Sequence, residues 1–375
     1  MLVEHPNGAL FVSGYGEAAP TLWKSTDRGT TWTRVDVGST EQGAVGNSDV
    51  DLAVAPDGTL YFVAMLFDAK AGEGRRISIG VSHDVGEQWA WTRLSEARND
   101  DRPWVEVSAD GTAHVIWNDG SGVKYAVSTD RGASWKRQPK IAPHGGSSHL
   151  AVGPGQLIAV RVPPLSASGA KVDREVDLIM VSADGGRTWQ QHSAPSAGEW
   201  KSPNAVGPND TIRWVEPLAW DTRGTLYSAW AEQDGVRIAR STDRGQTWRT
   251  TRVVQTGGFF PYLIARGAGE LAVTWFSGTM SSAADRFVSM EGHIARIDVA
   301  RAEADPRVVG AATLRLAAWN PGKNPSDPPE LDSAGEYIAT AFLADGSLVA
   351  VTPIQDSTHN RFGFTFWRIG EAPPR

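Results

Sequence analysis

Cysteine is absent from this chain, which excludes disulfides, thiolate metal sites and a cysteine nucleophile. No apolar run approaches the ~20 residues that cross a bilayer as a helix. Met1 to Leu10 lacks the basic start and apolar stretch of a secretory leader. Positive charge is in deficit: 36 Lys and Arg stand against 43 Asp and Glu, a formal net charge of −7. That balance argues against a surface built to track phosphates. Helical spacing of apolar residues is hard to find anywhere. The absences leave a chain indifferent to redox compartment, expected to be exported with its leader missing from this sequence, although a cytoplasmic location suits the same composition. No cofactor, no nucleic-acid partner and no membrane insertion are expected, and the chain is read as a monomer.

What is present is a repeat. The chain has 375 residues, 41% of them hydrophobic and 21% charged, with 16 Trp and 40 Gly. That length allows two ordinary domains or one large all-β domain. The pattern Ser-x-Asp-x-Gly-x-x-Trp begins at Ser25, Ser82, Ser128, Ser182 and Ser241, at spacings of 46 to 59 residues. Between these turns lies a second repeat, in which a short apolar strand, an Asp-Gly or similar turn and a second apolar strand follow one another. Clear copies occupy 50–64, 104–117 and 337–351, and looser ones 3–12, 150–160, 217–230 and 263–275. Asp-Gly between alternating strands is a strong hairpin signal. Each unit therefore reads as four antiparallel strands, and radial repetition of such units is a β-propeller.

Seven strand pairs predict seven blades, with six as the alternative, in one domain over 1–375. Units six and seven lack the Ser-x-Asp turn, and 291–299 and 362–370 stand where their third strands belong. The first unit has a short first strand and the last has no evident fourth. Insertions at about 190–212 and 317–335 read as loops.

The five Ser-x-Asp turns have a mechanical reading. The Ser hydroxyl and Asp carboxylate accept backbone N–H bonds inside a tight turn, Gly supplies a positive φ, and Trp buries its ring between blades. Their aspartates are therefore left out of the catalytic set. The turns resemble the Asp-box (BNR) repeats of sialidases and related propellers, and the likeness covers nearly the whole chain. It implies a propeller of the glycan-active class, which includes glycosidases, polysaccharide lyases and non-catalytic binders. Sialidases carry a Phe/Tyr-Arg-Ile-Pro motif before the first box. Met1 to Lys24 contains no such motif and no arginine, so the family's first substrate-binding arginine has no counterpart here.

Both kinds of turn lie at one end of each blade, so a ligand is expected at the other, where first strands begin and second strands end. Counting back from the Asp-Gly turns gives Asp49 and Asp51, Arg102 and Trp104, His149, the run Arg213, Trp214 and Glu216, then Tyr262, Glu336 and Tyr337. The loops after second strands add Asp68, Asn118, Asp119, Arg161, Glu232 and Asp356, and His359, Asn360 and Arg361 form a polar loop in the last unit. Asp49 and Asp51 alternate around Val50, so both are expected to face the channel while Val50 packs.

Three functions follow. In a glycoside hydrolase acting on an acidic sugar, Asp51 or Asp49 is the acid/base and Tyr262 with Glu216 the nucleophilic pair. Arg102, Arg161 and Arg213 then hold the anionic group, with Trp104, His149 and Tyr337 also contacting substrate. In a polysaccharide lyase, His149 or Tyr262 is the base beside Arg161. In a non-catalytic propeller, the same rim binds a glycan or a protein. The partner expected is a carbohydrate or glycoconjugate, and no metal spacing is present.

Overall fold

The computed structural model describes residues 1–14, 19–163, 177–195, 217–232, 234–255, 257–281, 286–299, 305–314, 337–356 and 361–369. The architecture is all-β, a β-propeller of seven antiparallel sheets, as the repeat predicts. Six sheets have four strands in sequential order, and the seventh has three among the described residues. The chain divides into two compact units, Met1–Ala194 with blades one to four and Pro195–Arg375 with blades five to seven. The first strand of blade one is only Leu2–Glu4, and Arg286–Asp298 and Arg361–Ile369 are the third strands of the blades without a Ser-x-Asp turn. Residues 190–193, expected to open an insertion, instead form the fourth strand of blade four (Gln190–Ser193). The rest of that insertion and the one at 317–335 lie outside the described residues.

Each blade buries both of its faces, which explains why second strands read as continuous apolar runs rather than alternating ones. In blade two, Leu60 and Phe62 point toward blade one and pack with Phe11 and Leu22. Their neighbours Tyr61, Val63 and Met65 point the other way and pack with Val105, Val115 and Trp117 of blade three. The second unit repeats the scheme: Tyr227 and Ile238 of blade five pack on Val273 and Trp275 of blade six. Phe276 and Ile294 of blade six pack in turn on Ile338 and Leu348 of blade seven. Within each unit the first strands of consecutive blades lie side by side.

The Ser-x-Asp turns are built alike. In the first, Ser25 Oγ accepts the Gly29 N–H at 2.8 Å and donates to Asp27 Oδ1 at 2.8 Å. Asp27 Oδ1 also accepts the Thr31 N–H at 2.8 Å. The Thr31 hydroxyl and amide, with the Ser25 hydroxyl, hold the Asp27 carboxyl down at about 2. Trp32, Trp89 and Trp248 each donate their ring N–H to the carbonyl of their own turn's glycine at 3.1 Å. The tryptophans are half-buried. The box glycines supply the expected positive φ, at 81 to 88°, and the position before each is left-handed as well without being reserved for glycine. Arg28, Val85, Arg131 and Arg244 adopt φ of 61, 61, 59 and 62° there, and only the fourth turn uses glycine, Gly185. The cost of left-handed backbone at a non-glycine residue, ~1–2 kcal/mol, is offset by the hydrogen bonds that close the turn.

Candidate functional site

Antiparallel pairing places the turn between first and second strands of each blade, and the Ser-x-Asp turn of the five blades that have one, at the same end, here called the box rim, and the starts of first strands at the far rim. Two first strands share a device at the far rim. In blade three, Trp104 pairs with Ile116 and Asp101 with Asn118, so the register slips by one residue at Arg102 and Pro103. In blade six the same slip falls between Phe259 and Tyr262. The residue before each proline, Arg102 and Phe260, has φ of 51°, a conformation that both chirality and a following proline disfavour. Such bulges re-aim side chains. Here they set Trp104 and Tyr262, both buried, at equivalent places.

In blade three the strained turn is held from blade four. Ser147 Oγ lies 2.8 Å from the Arg102 carbonyl and 2.8 Å from Asn118 Oδ1, and the Ser147 N–H donates to that same Oδ1 at 2.7 Å. The Asn118 amide nitrogen is buried without a hydrogen-bond partner among the described residues. Arg102 lies 3.7 Å from the Asp101 carboxylate. Beside it, the Trp104 and His149 rings meet at a centroid distance of 4.9 Å. His149 stands opposite Arg161 in the register of blade four. Burial pushes His149 down to about 3, which keeps its imidazole neutral at ordinary pH and makes it a weak base.

Two carboxyls stand out on adjacent first strands. Asp51 is 3% exposed. Its Oδ1 accepts the Leu52 N–H at 2.8 Å, and its Oδ2 accepts the N–H of Val105, in blade three, at 2.9 Å. Burial outweighs both bonds and lifts the carboxyl to about 7. Glu106, half-buried in the same strand as Val105, is lifted to about 8 by burial first and by the nearby Asp51 charge second. The expected geometry is therefore revised. Val50 and Leu52 do pack toward blade one, but Asp51 is turned into the seam with blade three rather than left facing open space, because both faces of an inner strand are covered by a neighbour.

Arg161 is fully buried, and its guanidinium grips Asp177 through Nε at 2.9 Å and Nη2 at 2.5 Å. A cation at 0% exposure requires such a counter-charge. The other polar residues named from sequence have local partners. Asp119 pairs with Lys124 at 2.9 Å, and Asp68 caps its own turn through Lys70 and Ala71 N–H groups at 3.0 and 3.2 Å. Asp49 is half-buried, and its carbonyl accepts the Met65 N–H at 2.9 Å. In the second unit, Glu232 accepts the Trp230 ring N–H at 2.8 Å and pairs with Arg237 at 2.8 Å. Tyr262 stacks on Tyr337 with centroids 5.1 Å apart and planes at 23°. Arg213, Trp214, Glu216, Glu336, His359 and Asn360 lie outside the described residues, as do the side chains of Asp356 and Arg361. The Tyr262–Glu216 pair is thus not described.

In the first unit the structure brings Arg102, Trp104, Asn118, His149 and Arg161 together at the far rim, with Asp51 alongside. Sequence reasoning missed Glu106, Ser147 and Asp177. Glu106 carried the same signal that marked Asp51, a carboxylate within an apolar first strand. Among the described residues no three His, Asp or Glu side chains form a metal-binding group, and no helix is long and apolar enough to cross a membrane.

No protein-family model and no curated protein sequence matches the chain. Solved structures do. The polysaccharide lyase Uly1 superposes with a TM-score of 0.52 at 10% identity, over 98% of this chain and 88% of that one. The phage phi92 endosialidase gives 0.50 at 10% identity, over 99% of this chain and 66% of its own. The Penicillium chrysogenum α-L-arabinanase complexed with arabinobiose gives 0.50 at 15% identity, over 73% of this chain and 87% of that one. At such identities the likeness establishes the fold, a β-propeller shared with glycoside hydrolases and a polysaccharide lyase.

Proposed function

We propose that this chain is an Asp-box propeller of the sialidase-like class, and that it hydrolyses a glycosidic bond in an acidic sugar at the far rim of its blades. The observation that carries the reading is the Asp51–Glu106 pair. Glycoside hydrolysis needs an acid that keeps its proton near neutral pH, and Asp51, at about 7 and fixed by two backbone N–H groups, meets that need. In this reading Asp51, kept protonated by burial, delivers the proton to the leaving oxygen, with Asp49 beside it, and Glu106 stands by as a second carboxyl whose own proton is held by burial and by the Asp51 charge. Tyr262 with Glu216 is the nucleophilic pair. Arg102 and Arg213 hold the sugar's anionic group by guanidinium forks, while Arg161, already neutralised by Asp177, supports blade four opposite His149. Trp104, His149 and Tyr337 contact the sugar. The reading goes with an exported protein, periplasmic or extracellular.

The test is turnover of a fluorogenic sialoside beside a panel of other acidic glycosides. The reading expects one to be cleaved, and Asp51→Asn to lower kcat by roughly 10²–10⁴-fold, the usual contribution of a positioned acid. Full activity of Asp51→Asn on a proven substrate would overturn the assignment. An unsaturated, ultraviolet-absorbing product would instead mark a lyase, a role for which neutral, weakly basic His149 is poorly suited. Saturable binding without turnover would mark a binding propeller.

A further inference from the structure

The seams between blades of the first unit close differently at the box rim. Between blades one and two, Lys24 reaches across to Glu87 at 2.7 Å and to the Val85 carbonyl at 2.8 Å. Phe11 of blade one packs beneath Gly86 of blade two, where a Cβ would come within 3.0 Å of its ring. Between blades two and three, Arg131 crosses to Asp57 at 2.6 Å, and Tyr61 lies under Gly132. Between blades three and four the charged closures are missing, and the aromatic one is made from a different strand, by Tyr125 lying under Gly186 with its hydroxyl 3.5 Å from the Gly185 carbonyl. Val127 stands where Lys24 would be, Gly185 where Arg131 would be, and His114 in the place of Phe11 and Tyr61. Asp110, the counterpart of Asp57, forms no ion pair with another described residue.

A cavity of about 580 Å³ opens at this seam, within the ~300–1,000 Å³ range of small-ligand sites. Its floor is a buried polar chain. His114 lies 2.8 Å from Ser108 Oγ through Nε2 and 2.7 Å from the Tyr125 hydroxyl through Nδ1. Burial pushes His114 down to about 4, so the floor is uncharged. The walls supply Gln138 and Gln156 amides, one carboxylate, Asp110, and two cations, Lys136 and Arg187. Both cations are exposed, and neither enters an ion pair with another described residue.

We propose that this cavity is a second binding site, on the box rim, for an acidic saccharide, with Lys136 and Arg187 on its carboxylate or sulfate and Gln138 and Gln156 on its hydroxyls. A guanidinium fork and a point ammonium together suit a planar anion, and the amides and neutral floor suit a hydroxyl-rich body. The choice of a saccharide over another hydroxylated anion rests on the glycan activity proposed above. The site itself does not, since it lies at the opposite end of the blades.

Calorimetric titration with trigalacturonate and with a chondroitin sulfate tetrasaccharide tests it, using maltotriose and inorganic phosphate as controls. At least one acidic probe is expected to bind. Lys136→Gln with Arg187→Gln should weaken that event at least roughly tenfold, as loss of charged hydrogen bonds does. Gly185→Arg should abolish it by restoring the bridge to Asp110. Arginine already occupies the same left-handed position at Arg28, Arg131 and Arg244, so the variant is expected to fold, which its unfolding temperature verifies. Binding unchanged in both variants, binding of neither acidic probe, or phosphate binding as tightly as the saccharide would overturn the proposal. Turnover on the glycoside panel should be the same in these variants as in wild type, so failure of the far-rim reading and failure of this site are read from different experiments.

Discussion

A single carboxyl can be followed from its surroundings to a measurable behaviour. Glu106 is lifted from an ordinary 4.5 to about 8, so the folded chain holds this proton more firmly than the unfolded one. Its contribution to stability is fully present below about 4.5 and is lost as pH rises through about 8. Glu106→Gln removes that dependence. The variant's unfolding temperature should therefore gain on wild type as pH is raised across this window, and parallel curves would mean that the carboxyl is ionised throughout. Asp51→Asn should behave in the same way up to about 7. His149 has the opposite sign. A ring held down at about 3 costs stability as pH falls below its ordinary 6.5, and His149→Gln should blunt that acid-side loss. Asp51 and Arg102 were legible from sequence because polar residues interrupt apolar first strands there. Asp177 was not, since nothing local in the sequence couples it to Arg161 across the hairpin.

Elements fail or hold by their turns and their faces. The Ser-x-Asp turn was readable because its residue types are fixed by hydrogen bonding at set offsets, and its spacing carried the propeller with it. The bulges at Arg102 and Phe260 escaped notice, although Arg-Pro-Trp and Phe-Pro-Tyr are the same device written twice. A register slip depends on the partner strand and leaves little local trace. Arg102→Gly removes the left-handed strain and should raise stability by about 1 kcal/mol. The proposed site should meanwhile lose anionic substrate affinity, seen as a raised KM. A KM equal to wild type would exclude Arg102 from substrate contact. At the inner faces, Phe62→Ala should cost about 3–5 kcal/mol, the usual toll of deleting a buried aromatic ring, measured by urea unfolding. A loss below 1 kcal/mol would show that the seam with blade one relaxes around the gap.

Across the molecule, acid sensitivity is distributed. The carboxyls of Asp27, Asp130 and Asp184 are each held at about 2, chiefly by the hydroxyl of Thr31, Ser134 and Thr188 respectively. A depressed carboxyl stabilises the fold above its ordinary value and ceases to do so as pH falls through the folded one. These turns should therefore weaken together between about 4 and about 2. Circular dichroism during acid titration should show one late, steep loss of β structure in that window, and gradual loss beginning near neutrality would contradict it.

The non-glycine position of the Ser-x-Asp turn has an evolutionary consequence. Arginine, valine and glycine all occupy it on the same left-handed backbone, so the residue that closes or opens a seam there can change without changing the turn. Cavities on such a scaffold are transplantable. Arg131→Gly with Tyr61→His should carve a pocket between blades two and three, while Gly185→Arg seals the existing one. If the proposed box-rim site is real, a seam can thus gain or lose it through a few residues, without redesigning a blade.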